Sequence, residues 1–243
     1  MTMQNPDLAE KLAAFGFAEG EYTLRPHSMM RRAIARRLSE AVREAPQFSL
    51  FASIEMEAAT AWRAEKGRSG QKISLNDLIV AASARALADT PEANVSYLPE
   101  GMVEHAHADV AIAVAVKAGV VAPIIRRAGQ KSPSEIGAEA RVLVERAKAM
   151  KLKPEDYVGG ALTVSNLGMF GVSSFTSIVT PPQSAILSVG AVEERAIARD
   201  GVLLPAQLMS VTLTCDHRAI DGAIGGRWLR AFRARLGDLA WAG

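Results

Sequence analysis

The chain has a single cysteine among 243 residues, only three tryptophans and three tyrosines, and no surplus of either charge. With Cys215 alone, no internal disulfide forms and the fold rests on its core, which fits a reducing compartment. A net charge of +2 is too small for the electrostatic footprint of a nucleic-acid binder, and no basic block is interleaved with aromatics. Long apolar runs are missing too. Arg, Lys or Glu breaks each one before it reaches the length of a membrane span. The first seven residues lack the basic-then-apolar order of a signal peptide. Together these absences predict a cytoplasmic protein with no nucleic-acid or membrane partner.

What is abundant is apolar residues, 49% of the chain, enough for one substantial core. Residues 1–27 are too short to bury a core of their own and are expected to be an arm, with a short helix opening at Pro6. Residues 28–243 are expected to form one domain. Ser28 is placed to cap a helix over 29–45, with Met30, Ile34, Leu38 and Val42 on its inner face. The arginines at 31, 32, 36 and 37 fall elsewhere on that helix. A solvated face is the plainer reading of them, and anion binding by Arg31 and Arg36 the sharper one.

Further on, residues 48–57 read as a strand, and 74–88 as an Ala- and Leu-rich buried helix. Residues 95–104 read as a hairpin around Pro99-Glu100-Gly101. The run 109–116 is nearly all apolar or small and predicts one strand buried on both faces, followed by another over 120–125. Ser132-Pro133-Ser134-Glu135 predicts a capped helix to about residue 150. Strands are expected over 161–166, over 184–190, and on either side of the Asp200-Gly201 turn. Helices and strands mix without strict alternation, which predicts an α+β fold with helices packed on a mixed sheet.

The chemistry concentrates at Asp216-His217-Arg218-Ala219-Ile220-Asp221-Gly222, between an apolar strand and a final helix. A histidine at such a turn is held by its neighbours while its ring can reach a cleft. Asp216 and Asp221 have a plainer role available as caps of the following helix. Ser165, at the end of a strand before Gly168, is either a hydroxyl satisfying a turn or a hydrogen-bond donor at a cleft edge. Its context lacks the flanking glycines of a nucleophile elbow. Cys215 reads as packing. His105 and His107 share strand-like spacing but have too few neighbouring ligands for a metal site, and read as surface residues; no metal is expected.

Three motifs in order add more than any one alone. They are Thr163-Val164-Ser165-Asn166-Leu167-Gly168-Met169-Phe170-Gly171 after Gly159-Gly160, then Pro181-Pro182-Gln183-Ser184-Ala185-Ile186-Leu187, then Asp216 through Ala223. With Met30-Arg31-Arg32-Ala33-Ile34-Ala35 and Pro91-Glu92-Ala93-Asn94-Val95, they resemble the catalytic domain of the 2-oxo acid dehydrogenase E2 acyltransferases. The branch most like it is the dihydrolipoamide acetyltransferase of pyruvate dehydrogenase. The resemblance implies a chloramphenicol acetyltransferase-like fold and a homotrimer whose sites lie at subunit boundaries. It implies acyl transfer between dihydrolipoamide and coenzyme A directly from thiol to thioester. It casts His217 as general base, Ser165 as oxyanion donor from the neighbouring subunit, and Asp221 as holding the histidine turn.

The lipoyl and peripheral subunit-binding domains usual in that family are not found here, so the lipoyl group is expected in trans. The implied partners are E1, E3 or a lipoyl-domain protein. The short C-terminus predicts a trimer rather than a large cage. Three alternatives stand beside this reading: a non-catalytic scaffold or regulatory subunit, a coenzyme A acyltransferase with another acceptor, and a serine hydrolase using Ser165 and His217.

Overall fold

A computed structural model of the chain describes residues 6–18, 20–117 and 119–243. Residues 1–5 of the expected arm lie outside the described residues. The helices start where local chemistry favours it. Helix α1 (Pro6–Ala14) opens on proline, and α2 (Met29–Glu44) is capped by Ser28, whose Oγ accepts from the Arg31 N–H at 3.1 Å. Strand β1 (Gln47–Glu55) leads to α3 (Glu57–Arg68) and α4 (Leu75–Asp89), the latter entered through a reciprocal Ser74–Asp77 capping box. A hairpin of β2 (Val95–Leu98) and β3 (Gly101–Glu104) follows, then four short strands, β4 (Val110–Ile112), β5 (Val114–Val116), β6 (Gly119–Val121) and β7 (Ile124–Ile125). Helix α5 (Pro133–Lys148) has its own capping box, Ser132 with Glu135, and a single turn, α6 (Pro154–Tyr157), precedes β8 (Leu162–Asn166). Two long strands, β9 (Ala185–Arg199) and β10 (Val202–Asp216), and helix α7 (Gly222–Gly237) complete the chain.

The main sheet runs β1-β10-β9-β8-β4-β7. Strand β8 is parallel to β9 and β4, and the other pairs are antiparallel, so the sheet is mixed as expected. One face carries Leu162, Val164, Leu187, Val189, Val211 and Leu213, which pack into one core with α4 and α7. Trp228 and Phe232 of α7 stack there with ring centroids 5.3 Å apart. Burying a ring like that of Phe232 contributes about 3 kcal/mol.

Alternate residues point to the other face, which is polar. Ser49 and Thr214 are bonded across β1 and β10 at 3.0 Å. Residues 172–183 cross this face, whose central Ser188, Thr212 and Thr214 are buried while Phe51 at the β1 edge stays exposed. The Ala191 N–H donates to the Val172 carbonyl at 2.8 Å, Ser177 bonds Ser188 at 2.7 Å, and the Val179 N–H donates to Gln47 Oε1 at 2.9 Å. This crossing depends on Gly190. A Cβ there would lie 1.9 Å from the Ser173 carbonyl oxygen, a backbone atom that cannot swing away. Gly190→Ala is therefore expected to destabilise the fold by about 3 kcal/mol, measured as a lowered urea midpoint.

Four sequence expectations need correction. The run 109–116 is two strands rather than one: β4 lies inside the main sheet, while β5 pairs with β6 in a separate ribbon and leaves Ala115 exposed. The strand expected over 120–125 is interrupted at Ala122-Pro123, where proline has no N–H for a ladder. On α2 the buried residue of the last turn is Ala41, whereas Val42 is 59% exposed. Steps of four drift about 40° each on a helix of 3.6 residues per turn, so after three steps the side chain has left the inner face. The strands expected at 184–190 and before His217 are parts of a continuous 15-residue pair, β9 and β10.

Candidate functional site

His217 sits on the turn between β10 and α7, and its side chain is exposed. Its backbone N–H donates to the Pro46 carbonyl at 2.8 Å, and its ring lies against Phe48 with centroids 4.6 Å apart. The residues on either side are clamped together. The buried Asp216 carboxylate accepts from the Arg218 backbone N–H at 3.0 Å, from its Nε at 3.0 and 3.2 Å, and from its Nη2 at 2.7 Å. These bonds raise the Arg218 pKa above its ordinary value, the carboxylate's hydrogen bond being the main cause. Four residues past the histidine, Asp221 Oδ1 accepts from the Ile224 N–H at 2.8 Å and caps α7. The plainer reading of Asp221 therefore holds. A capped helix start also fixes the turn that carries His217.

Ser165 is on β8, half-buried, on the polar face of the sheet. Its neighbour Asn166 is held at both ends: Nδ2 donates to Asn76 Oδ1 at 3.2 Å and Oδ1 accepts from the Gly168 N–H at 2.9 Å. The motifs around this strand are tied together as well. Gln183 Nε2 donates to the Gly159 carbonyl at 3.1 Å while its Oε1 accepts from Thr163.

Within one chain Ser165 and His217 do not meet. Ser165 pairs with Ser188 in register, and Ser188 with Thr212. His217 lies five residues beyond Thr212, roughly 17 Å along the strand and two strands, roughly 10 Å, to the side. A Ser–His pair of the hydrolase type is thus not formed within the chain.

Other candidates fall into place more simply. Arg31 and Arg36 are exposed on α2, and the adjacent Arg37 donates to the Pro181 carbonyl at 3.0 Å. Cys215 is fully buried in the core, and burial pushes its thiol up to about 12, far from a reactive range. His105 departs from the surface reading. It is half-buried and bonded to Ser96 Oγ at 2.8 Å, and desolvation lowers its pKa. Among the described residues no cluster of His, Cys, Asp and Glu could hold a metal, and no helix is long and apolar enough to cross a membrane.

A family model described as "2-oxoacid dehydrogenases acyltransferase (catalytic domain)" matches residues 19–241. The chain belongs to this acyltransferase family. The dihydrolipoyllysine-residue acetyltransferase component of the pyruvate dehydrogenase complex of Rhizobium meliloti is 44% identical over 225 residues, covering 89% of this chain and 50% of that protein. The chain thus spans about half the length of the curated relatives it matches. Among solved structures, an Azotobacter vinelandii dihydrolipoamide acetyltransferase aligns with a TM-score of 0.85 at 28% identity, covering 92% of this chain and 95% of that one. Its catalytic mechanism has been investigated at a serine, a histidine and an asparagine. Chloramphenicol acetyltransferase aligns at 0.56 and 19% identity over 83% of this chain and 94% of that one, a likeness of fold. The acyltransferase chain therefore has the α+β architecture that the motifs imply.

Three contacts around the candidate residues escape sequence reasoning: Phe48 against the His217 ring, Tyr97 under Arg218, and Asn76 beside Asn166. Each acts across a long stretch of chain. Only the pairing of β1 with β10, which sets Phe48 opposite Cys215, could have pointed to the first.

Proposed function

We propose that the chain transfers an acetyl group between a dihydrolipoyl thiol and coenzyme A, with His217 as base and Ser165 of an adjacent copy as oxyanion donor. The observation that carries this is the placement of the pair: an exposed imidazole on a locked turn, and a half-buried serine near the end of β8, two strands across and roughly 20 Å away. In a cyclic homotrimer the His217 turn of one copy would meet the Ser165 end of β8 in the next, so that each boundary would hold one complete pair. The serine, histidine and asparagine studied in the Azotobacter vinelandii enzyme have the spacing of Ser165, His217 and Asp221. Asp and Asn cap helices about equally well, which suits Asp221 to holding the turn.

In the forward step, neutral imidazole takes the proton from the coenzyme A thiol. The sulfur electron pair forms a bond to the thioester carbonyl carbon, and the carbonyl π pair moves onto oxygen. The Ser165 hydroxyl donates a hydrogen bond to that oxyanion. Collapse re-forms the carbonyl and expels the dihydrolipoyl sulfur, which recovers the proton from imidazolium. Ser165 is never acylated. Arg31 and Arg36 are the cations we place near the coenzyme A phosphates. Residues 1–27 serve as an arm and 28–243 as the catalytic domain. The lipoyl group comes from a lipoyl domain working with E1 and E3 dehydrogenase components, in the cytoplasmic compartment that the cysteine usage suggests.

The direct test is to mix the purified chain with acetyl-coenzyme A and free dihydrolipoamide and follow thioester exchange. Ser165→Ala is expected to lower kcat by about a hundredfold to a thousandfold, the loss of one oxyanion donor, while coenzyme A binding is retained. An undiminished kcat would remove Ser165 from the mechanism.

A further inference from the structure

We propose that Tyr97 is a positioning residue for His217, acting through Arg218; the inference rests on the reading of His217 as the base. The Arg218 guanidinium lies over the Tyr97 ring at 4.2 Å while its edge is bonded to Asp216. The carboxylate thus holds its edge and the ring covers one of its faces. Asp216 is itself fixed, 2% exposed, with its backbone N–H on the Ser184 carbonyl at 2.9 Å. His217 lies between these two clamped neighbours, so the orientation of the turn depends on Arg218 staying over the Tyr97 ring.

The platform is built for the task. Tyr97 belongs to the β2–β3 hairpin, which forms its own two-stranded sheet outside the main one. That hairpin is stapled at its base: Asn94 Nδ2 donates to the carbonyls of His105 at 3.0 Å and His107 at 3.1 Å, and Ser96 bonds the His105 ring. A rigid element with no place in the central sheet thus reaches the His217 turn through an aromatic face on a guanidinium. The contact needs the ring's negative face rather than the tyrosine hydroxyl.

Three variants separate these contributions. Tyr97→Leu keeps apolar bulk without a π face and is expected to lower kcat about tenfold, with KM for acetyl-coenzyme A unchanged. Tyr97→Phe keeps the face and is expected to retain the parental kcat. In a His217→Ala background, Tyr97→Leu is expected to cost nothing further, because its only route to the chemistry is through that ring. Equal kcat for the Leu and Phe variants, or an undiminished tenfold loss in the His217→Ala background, overturns the proposal. A His217→Ala chain as active as the parent instead refutes the reading of the site itself. If Tyr97→Leu does not fold, Arg218→Lys replaces it: the charge facing Asp216 remains, the flat face is gone, and the same tenfold loss is expected. A normal kcat for that variant also overturns the proposal.

Discussion

His217→Ala is expected to slow acetyl transfer at pH 7 by about a thousandfold, within the range of general-base contributions, while leaving the fold intact. The fold survives because the side chain is exposed and the turn is held by groups that alanine keeps. The residue 217 N–H still reaches the Pro46 carbonyl, Asp216 still holds Arg218, and Asp221 still caps α7. On the proposed mechanism, what disappears is the proton acceptor for the attacking sulfur. An ordinary thiol has a pKa of about 8.5, so only a few per cent is thiolate at pH 7.

Without the base, attack must wait for that fraction. The residual rate of His217→Ala is accordingly expected to climb about tenfold per pH unit up to about pH 8 as the thiolate fraction grows. The parent, which deprotonates the thiol within the complex, should rise less steeply. Stopped assays with free dihydrolipoamide across that range read both the rate and its slope. A variant that keeps the parental rate, or one whose residual rate is flat with pH, means that His217 does not take the proton.

Local chemistry made much of this legible in advance. Ser28, Ser74 and Ser132 announce their helices because a cap is a contact over three residues. The His217 turn is visible because a strand, a histidine and a capping aspartate follow one another directly. What stays hidden is set by distant partners. Nothing near residue 109 says that the chain will leave the main sheet after Ile112 to pair with its own continuation. Nothing near Phe48 or Tyr97 says that one will lie on His217 and the other on Arg218. The motifs indicate which residues matter. Register alone reveals that Ser165 and His217 of one chain lie two strands and five residue positions apart.

That separation leads to an expected recovery from two nearly inactive proteins. Ser165→Ala chains and His217→Ala chains, co-assembled one to one, are expected to regain about a quarter of the parental rate. In the proposed closed ring each boundary would take its base from one copy and its donor from the next. With random mixing, about half the copies offer an intact histidine and about half an intact serine, so about one boundary in four has both. Were both residues drawn from the same chain, every site in the mixture would lack one of them and the activity would stay at the level of the single variants. Roughly 17 Å along the strands and roughly 10 Å across them keep the two apart within a chain, too far for one thioester carbonyl to touch both. Simple mixing without subunit exchange serves as the control and should recover nothing. Mixed assemblies verified by native mass spectrometry yet still inactive would show that the serine and the histidine are not shared between neighbours. The recovered rate therefore measures directly whether the His217 turn of one copy is completed by the Ser165 strand of the next.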